Sequence, residues 1–189
     1  MQPLSKRMRV LSAAAAIGLT LGIAGAAAAG ATSPAGRSGA AAVAVTPKCA
    51  TSGLVIWLDT TGQGTMGSTY YHLEFTNLSG HTCTISGYPP VSAVNLSGQQ
   101  VGSAGSPDST AKPGVISLAN GARASTALRI VDVNNFSASS CQKTTAAGLR
   151  VYPPGQTSSK LVPFPFSACS LTGPVFLHVL AVQAANTIG

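Results

Sequence analysis

Tyr71, Leu73 and Phe75 share one parity of the chain, and Tyr70, His72, Glu74 and Thr76 share the other. Successive side chains of an extended strand point to opposite faces, so this stretch reads as a strand with an apolar face backed by a polar one. Residues 77–80 (Asn-Leu-Ser-Gly) are turn chemistry, because Asn and Gly tolerate positive φ and Asn or Ser bonds its own backbone. Residues 82–85 (Thr-Cys-Thr-Ile) resume as β-rich sequence. Gly87 and the pair Pro89-Pro90 close the segment, since neither proline can donate to a ladder. The simplest outcome is an antiparallel hairpin with one buried face.

The run Phe-Thr-Asn-Leu-Ser-Gly-His-Thr-Cys-Thr-Ile-Ser-Gly-Tyr-Pro-Pro-Val over 75–91 resembles the signature of a secreted actinobacterial family catalogued as domain of unknown function 4232. Its members typically show an Asn, then a Cys, then Gly-Tyr-Pro. The similarity covers Cys49 to the C-terminus. It implies an exported, disulfide-bonded β domain. It implies no activity, because the family has none assigned, and no functional residue carries over.

Lys6, Arg7 and Arg9 precede an almost wholly small and apolar run from Val10 to Ala29. A basic start, an apolar middle and an Ala-x-Ala end make a secretory signal peptide, with cleavage expected after Ala29. The rival reading is an uncleaved anchor, but the run is Ala- and Gly-rich and marginal in length for a span of about 20 apolar residues. No cysteine lies near the cleavage region, which argues against a lipid-modified N-terminus. Residues 30–47 are Gly, Ala, Thr, Ser and Pro with little else and read as a flexible linker; the folded domain is expected over 48–189. The chain carries eleven basic and four acidic residues, for a formal charge of +7. Loss of 1–29 would remove three basic residues and no acid, leaving +4. The remaining basic residues are scattered, whereas nucleic-acid binding needs clustered charge, so no nucleic-acid partner is expected.

Cys49, Cys83, Cys141 and Cys169 all lie beyond the leader. An even count in an exported chain points to two disulfides rather than a zinc site, which usually takes close pairs such as C-x₂-C. Three pairings are formally open. The one expected joins neighbours in sequence order, Cys49 with Cys83 and Cys141 with Cys169, each worth roughly 3–4 kcal/mol in the chain-entropy picture.

Short apolar runs recur between turn signals: 54–59, 91–96, 115–118, 122–133, 149–152, 160–162 and 175–182. Trp57, in the first of these, is expected in the core or against the first bridge, with a solvent-facing sugar-stacking role as the alternative. Residues 60–67 read as a loop, and 102–114 as the longest irregular one. Asn120-Gly121 is the strongest hairpin signal in the chain. The run 175–182 is apolar on both faces and reads as a central strand. Short strands spaced by turns fit an all-β fold, a two-sheet antiparallel Ig-like β-sandwich with two disulfides, with a small β-barrel as the runner-up.

Motifs for chemistry are sparse. His72 and Glu74 share the outer face of their strand, with His81 in the next turn, and nothing in the spacing fixes a metal geometry. His178 reads as a buried, hydrogen-bonded imidazole. No nucleophile elbow, P-loop or dinucleotide fingerprint occurs, and bridged cysteines leave no thiol nucleophile. No cofactor and no metal is expected. The reading is a monomeric, non-enzymatic cell-envelope or extracellular binding module, free of the membrane after leader cleavage, whose partner is a protein or a cell-wall polymer. A secreted protease inhibitor and an extracellular hydrolase are the alternatives. Loops 102–114 and 152–166 are the expected contact surfaces, and Phe164, Phe166 and Tyr152 in the second of them are the candidate partner contacts, although the favoured reading of both Phe rings is that they cap the core.

Overall fold

Alternation decides the first sheet. Leu54, Ile56 and Leu58 are buried while Val55 and Trp57 are exposed, and Leu73 and Phe75 are buried between half-exposed neighbours. The computed structural model describes residues 45–185; the expected leader, most of the expected linker and the last four residues lie outside them. Strands run β1 (Leu54–Thr65), β2 (Ser68–Asn77), β3 (Cys83–Ile85), β4 (Val91–Val94), β5 (Gln100–Val101) and β6 (Ser106–Pro107). They continue as β7 (Ile116–Leu118), β8 (Arg123–Val131), β9 (Lys143–Val151), β10 (Lys160–Cys169), β11 (Leu177–Val179) and β12 (Gln183–Ala184). One sheet has the order β1-β2-β8-β11-β6, with β12 also pairing with β8. A second has the order β10-β9-β4-β5, and β3 pairs with β7 apart from both. No sheet closes into a barrel, and the architecture is the all-β sandwich that the turn spacing suggests. The β11–β6 pair is parallel, the one parallel strand pair among the described strands.

The core lies between the inner faces. Leu54, Phe75 and Leu128 of the first sheet and Val91, Leu149 and Val151 of the second belong to one buried cluster. Burial of a ring such as Phe75 contributes about 2–3 kcal/mol. Asn77, fully buried at the end of β2, joins the cluster's edge to the turns around it. Its side chain donates to the carbonyls of Leu118 (2.9 Å) and His81 (2.8 Å) and accepts from the backbone and hydroxyl of Ser79.

The cysteines pair as expected, Cys49 with Cys83 and Cys141 with Cys169. The first ties the approach to β1 to the start of β3. The second joins the end of the four-residue helix Ala138–Cys141 to the end of β10. Gly102 sits against this second bridge with φ +66°, and a Cβ there would collide with the carbonyl oxygen of Cys169. Glycine is required at that position both by conformation and by space.

Several local expectations are overturned. Residues 68–77 and 83–85 do not form a hairpin with each other: β2 pairs with β1 and β8, and β3 pairs with β7. The Asn77 hydrogen bonds close the intervening turn, and the Cys49 bridge draws Cys83 away from the sheet. Asn120-Gly121 does make a turn, closed by Ala122 N–H donating to the Ala119 carbonyl, but it links two sheets rather than two paired strands. The expected loop over 60–67 is mostly ladder, because β1 runs to Thr65 with a register shift between Asp59 and Gln63. Its polar sequence reflects exposure of both faces. Residues 143–148, which precede the apolar run 149–152, already open β9. β10 continues through Pro163 and Pro165, which an edge strand tolerates. The apolar run 175–182 holds a strand of three residues only, placed between β8 and β6.

Candidate functional site

Register places a chemically dense surface on the outer face of β1, β2 and β8. Opposite one another across β1 and β2 lie Val55 and Thr76, Trp57 and Glu74, Asp59 and His72, and Gln63 and Tyr70. On the other side of β2, Arg123 faces Thr76, Ser125 faces Glu74, and Arg129 faces Tyr70. His178 continues the Arg129 row on β11. Trp57 is 38 % exposed on this face, not in the core or against the bridge. Leu54, Ile56 and Leu58 take the inward positions, so the strand's parity turns Trp57 outward with Asp59. That shared parity with an acid was the sequence signal for an outward Trp57.

The face carries unusual electrostatics. Burial holds the Glu74 carboxyl above its ordinary 4.5, outweighing the nearby positive charge of Arg123. Its Oε2 is sheltered from solvent and has no hydrogen-bond partner among the described residues, and neither does the Nε of Arg129. Asp59 is held below its ordinary value, chiefly by the backbone N–H of Thr61 donating to its carboxylate at 2.9 Å. Burial, then the charge of Arg129, pushes the His178 imidazole down from 6.5. Its Nδ1 lies 2.9 Å from the Ser106 hydroxyl, so it is half-buried and hydrogen-bonded as its apolar strand suggests.

Glu74 allows a signed test. A carboxyl whose folded value lies above its unfolded value favours the fold while protonated, and that stability is lost as pH rises through the folded value. Glu74→Gln is therefore expected to raise the thermal midpoint at pH 7 and to leave it unchanged near about pH 3.5, where the carboxyl is protonated in both states. Thermal denaturation at the two pH values checks this, and no gain at pH 7 would contradict it.

The three residues that suggested hydrolysis or metal binding do not converge. His72 and Glu74 lie mid-strand on the outer face, whereas His81 sits in the turn beyond Asn77, its Nδ1 3.1 Å from the Ser79 carbonyl. Five residues of strand, about 16 Å, separate His72 from Asn77. Among the described residues no three His, Cys, Asp or Glu side chains lie close enough to hold a metal ion.

Phe164 and Phe166 are half-buried. Tyr71 meets Phe164 edge-on at 5.0 Å, Phe164 stacks on Phe166 at 5.8 Å, and Phe166 leans on Phe176 at 6.4 Å. The two rings form an aromatic row that seals the sandwich. Phe166 also lines a 340 Å³ cleft with Thr69, Tyr71, Asp132 and Ser167. Tyr152 is half-buried where β9 ends, its N–H donating to the Pro90 carbonyl. Loop 102–114 is anchored rather than free: Gly105 N–H donates to the Val91 carbonyl, and the Tyr88 hydroxyl to that of Ala111. Segment 142–168, between the second pair of cysteines, is mostly the paired strands β9 and β10, joined by residues 152–159.

A second exposed surface lies on the outer side of the other sheet. Leu96 (97 % exposed) and Leu161 (58 %) stand there beside Pro163 and Pro165. Two adjoining clefts of 400 and 200 Å³ share Asn95, Leu96 and Ala147.

The family described as "Domain of unknown function (DUF4232)" matches residues 49–184, and the chain belongs to that family. No curated protein and no solved structure matches the chain.

Proposed function

We propose that this member of the DUF4232 family is an exported, non-enzymatic binding module of an actinobacterial cell envelope, released by cleavage of its leader. Two findings support the reading. Both disulfides sit within the core, with Cys49, Cys83, Cys141 and Cys169 all buried, and such bridges form and persist in oxidising compartments. The observation that carries the binding role is the outward Trp57, held on the β1–β2 ladder among Asp59, His72 and Glu74. A large aromatic left exposed on a rigid scaffold contributes contact area at low entropic cost.

Fractionation tests the reading. A C-terminally tagged full-length chain, expressed in a secretion-competent actinobacterial host, is expected in the medium or wall fraction with all four cysteines oxidised. The purified product is expected to be retained on washed envelope fragments. Confinement to the cytosol with free thiols would contradict export, and failure of retention would contradict binding.

A further inference from the structure

We infer that the outer face of the β1–β2–β8 ladder is a docking surface for a neutral, extended polysaccharide, with Trp57 and Tyr70 as its two stacking platforms. This rests on the binding-module reading and adds to it a site and a ligand class. Trp57 lies directly across from Glu74, and Tyr70 directly across from Arg129. Directly opposite side chains have Cβ atoms about 5 Å apart. Each ring therefore has as its cross-strand neighbour a charged group that bears an unpartnered, sheltered atom, Glu74 Oε2 in one case and Arg129 Nε in the other. The two pairs are four residues apart along β2, about 13 Å, with Asp59 and His72 facing each other between them.

A buried polar atom without a partner is costly and calls for a physical cause. Glu74 lacks a donor and Arg129 an acceptor. A sugar hydroxyl supplies either role, since it both donates and accepts. The carboxylate of Glu74 turns readily about its terminal torsion, which is broad and two-fold, and so can present either oxygen. A pyranose ring joins an apolar C–H face, suited to an indole or phenol ring, to a rim of such hydroxyls. Two aromatic-and-charge pairs set well apart match a chain of such rings rather than a single one.

Charge selects the class of glycan. The face carries Asp59 and Glu74 against Arg123 and Arg129, a balanced set. The whole chain is basic, yet this face offers no net field to a phosphate-rich polymer. The paired strands fix the side chains before binding, which keeps the ordering cost low.

The test uses the oxidised, exported full chain and two neutral probes, hexasaccharides of β-1,4-linked N-acetylglucosamine and of β-1,4-linked glucose. Binding is followed by calorimetry and by the emission of Trp57, the sole tryptophan of the chain. At least one probe is expected to bind saturably and to shift that emission. Trp57→Ala and Tyr70→Ala are each expected to weaken binding at least about tenfold. Trp57→Phe, which keeps a ring, should retain most of it, and unchanged thermal midpoints will show that the variants fold. A glycerol-phosphate polymer is titrated in parallel. The inference is overturned if neither hexasaccharide binds, if Trp57→Ala binds as well as the parent, or if only the polyanion binds. Envelope retention of Trp57→Ala separates the two readings. Retention equal to the parent's sinks the site while the module reading stands, and no retention by the parent sinks the module reading itself.

Discussion

Replacing Cys141 and Cys169 together by alanine lowers the thermal midpoint by about 10–15 °C. The bridge closes a loop with a sequence separation of 28, and removing it returns to the unfolded chain about 3.6 kcal/mol of conformational freedom in the entropy model. For a domain of this size each kcal/mol moves the midpoint by about 3–4 °C. Both cysteines are buried, so the truncated sulfurs also leave a small void in the core. Replacing Cys49 and Cys83 has a similar effect, since their separation is 34 and the dependence on loop length is logarithmic. Calorimetry of parent and double variants, with and without reductant, checks both. Reductant should bring the parent down to or below either double variant and move each variant further. A shift within about 3 °C would mean that the bridges constrain a denatured ensemble that is already structured.

Asn77→Ala is expected to cost about 2–4 kcal/mol, as much as a large core truncation, although it removes only an amide. The side chain makes four hydrogen bonds from a fully buried site. Its loss strands the Leu118 carbonyl at a buried position and frees the Ser79 turn. The backbone of Asn77 meanwhile bonds both Gly121 and Ala122, so one residue joins the turn after β2 to the turn before β8. Asn77→Asp separates hydrogen bonding from size. A carboxylate cannot donate to Leu118 or His81, and a buried unpaired charge adds a further penalty. This variant should be less stable than Asn77→Ala at neutral pH and should recover on acidification, as the carboxyl gains a proton and one donor. Urea denaturation at pH 7 and about pH 4 measures both. A loss below about 1 kcal/mol for Asn77→Ala would show that Leu118 and Ser79 find other partners.

The residues that carry the family resemblance turn out to be fasteners. Asn77 knots two turns, Cys83 closes the first bridge, and Gly87 adopts φ +119° and accepts from Val182 N–H. Tyr88 reaches across to the loop carbonyl of Ala111. A signature of this kind reports a fold and leaves the ligand unspecified.

Where one face of a strand is buried, its sequence spells out that face. Thus the inward set Tyr71, Leu73 and Phe75 and the outward pair Arg123 and Arg129 are both legible from alternation. Pairing partners were not legible. Nothing local in residues 82–85 says that they leave β2 for β7, because the ties that place them are a bridge from Cys83 to Cys49 and the hydrogen bond from the Asn77 side chain to the Leu118 carbonyl, both to partners distant in sequence. Nor does polar sequence distinguish a loop from a ladder exposed on both faces, which hid the second half of β1. Trp57 stood within reach, since Asp59 shares its parity, but a bulky aromatic in an apolar run suggests burial more strongly than parity suggests exposure. The unpartnered atoms of Glu74 and Arg129 depend on neighbours from three strands and leave no trace in the sequence.

Intact-mass analysis of the native product, isolated without reductant, tests the central claim most directly. The account predicts a chain that begins after Ala29 and is lighter by four hydrogens than its all-thiol form. A chain that retains the leader and carries four free sulfhydryls would contradict it.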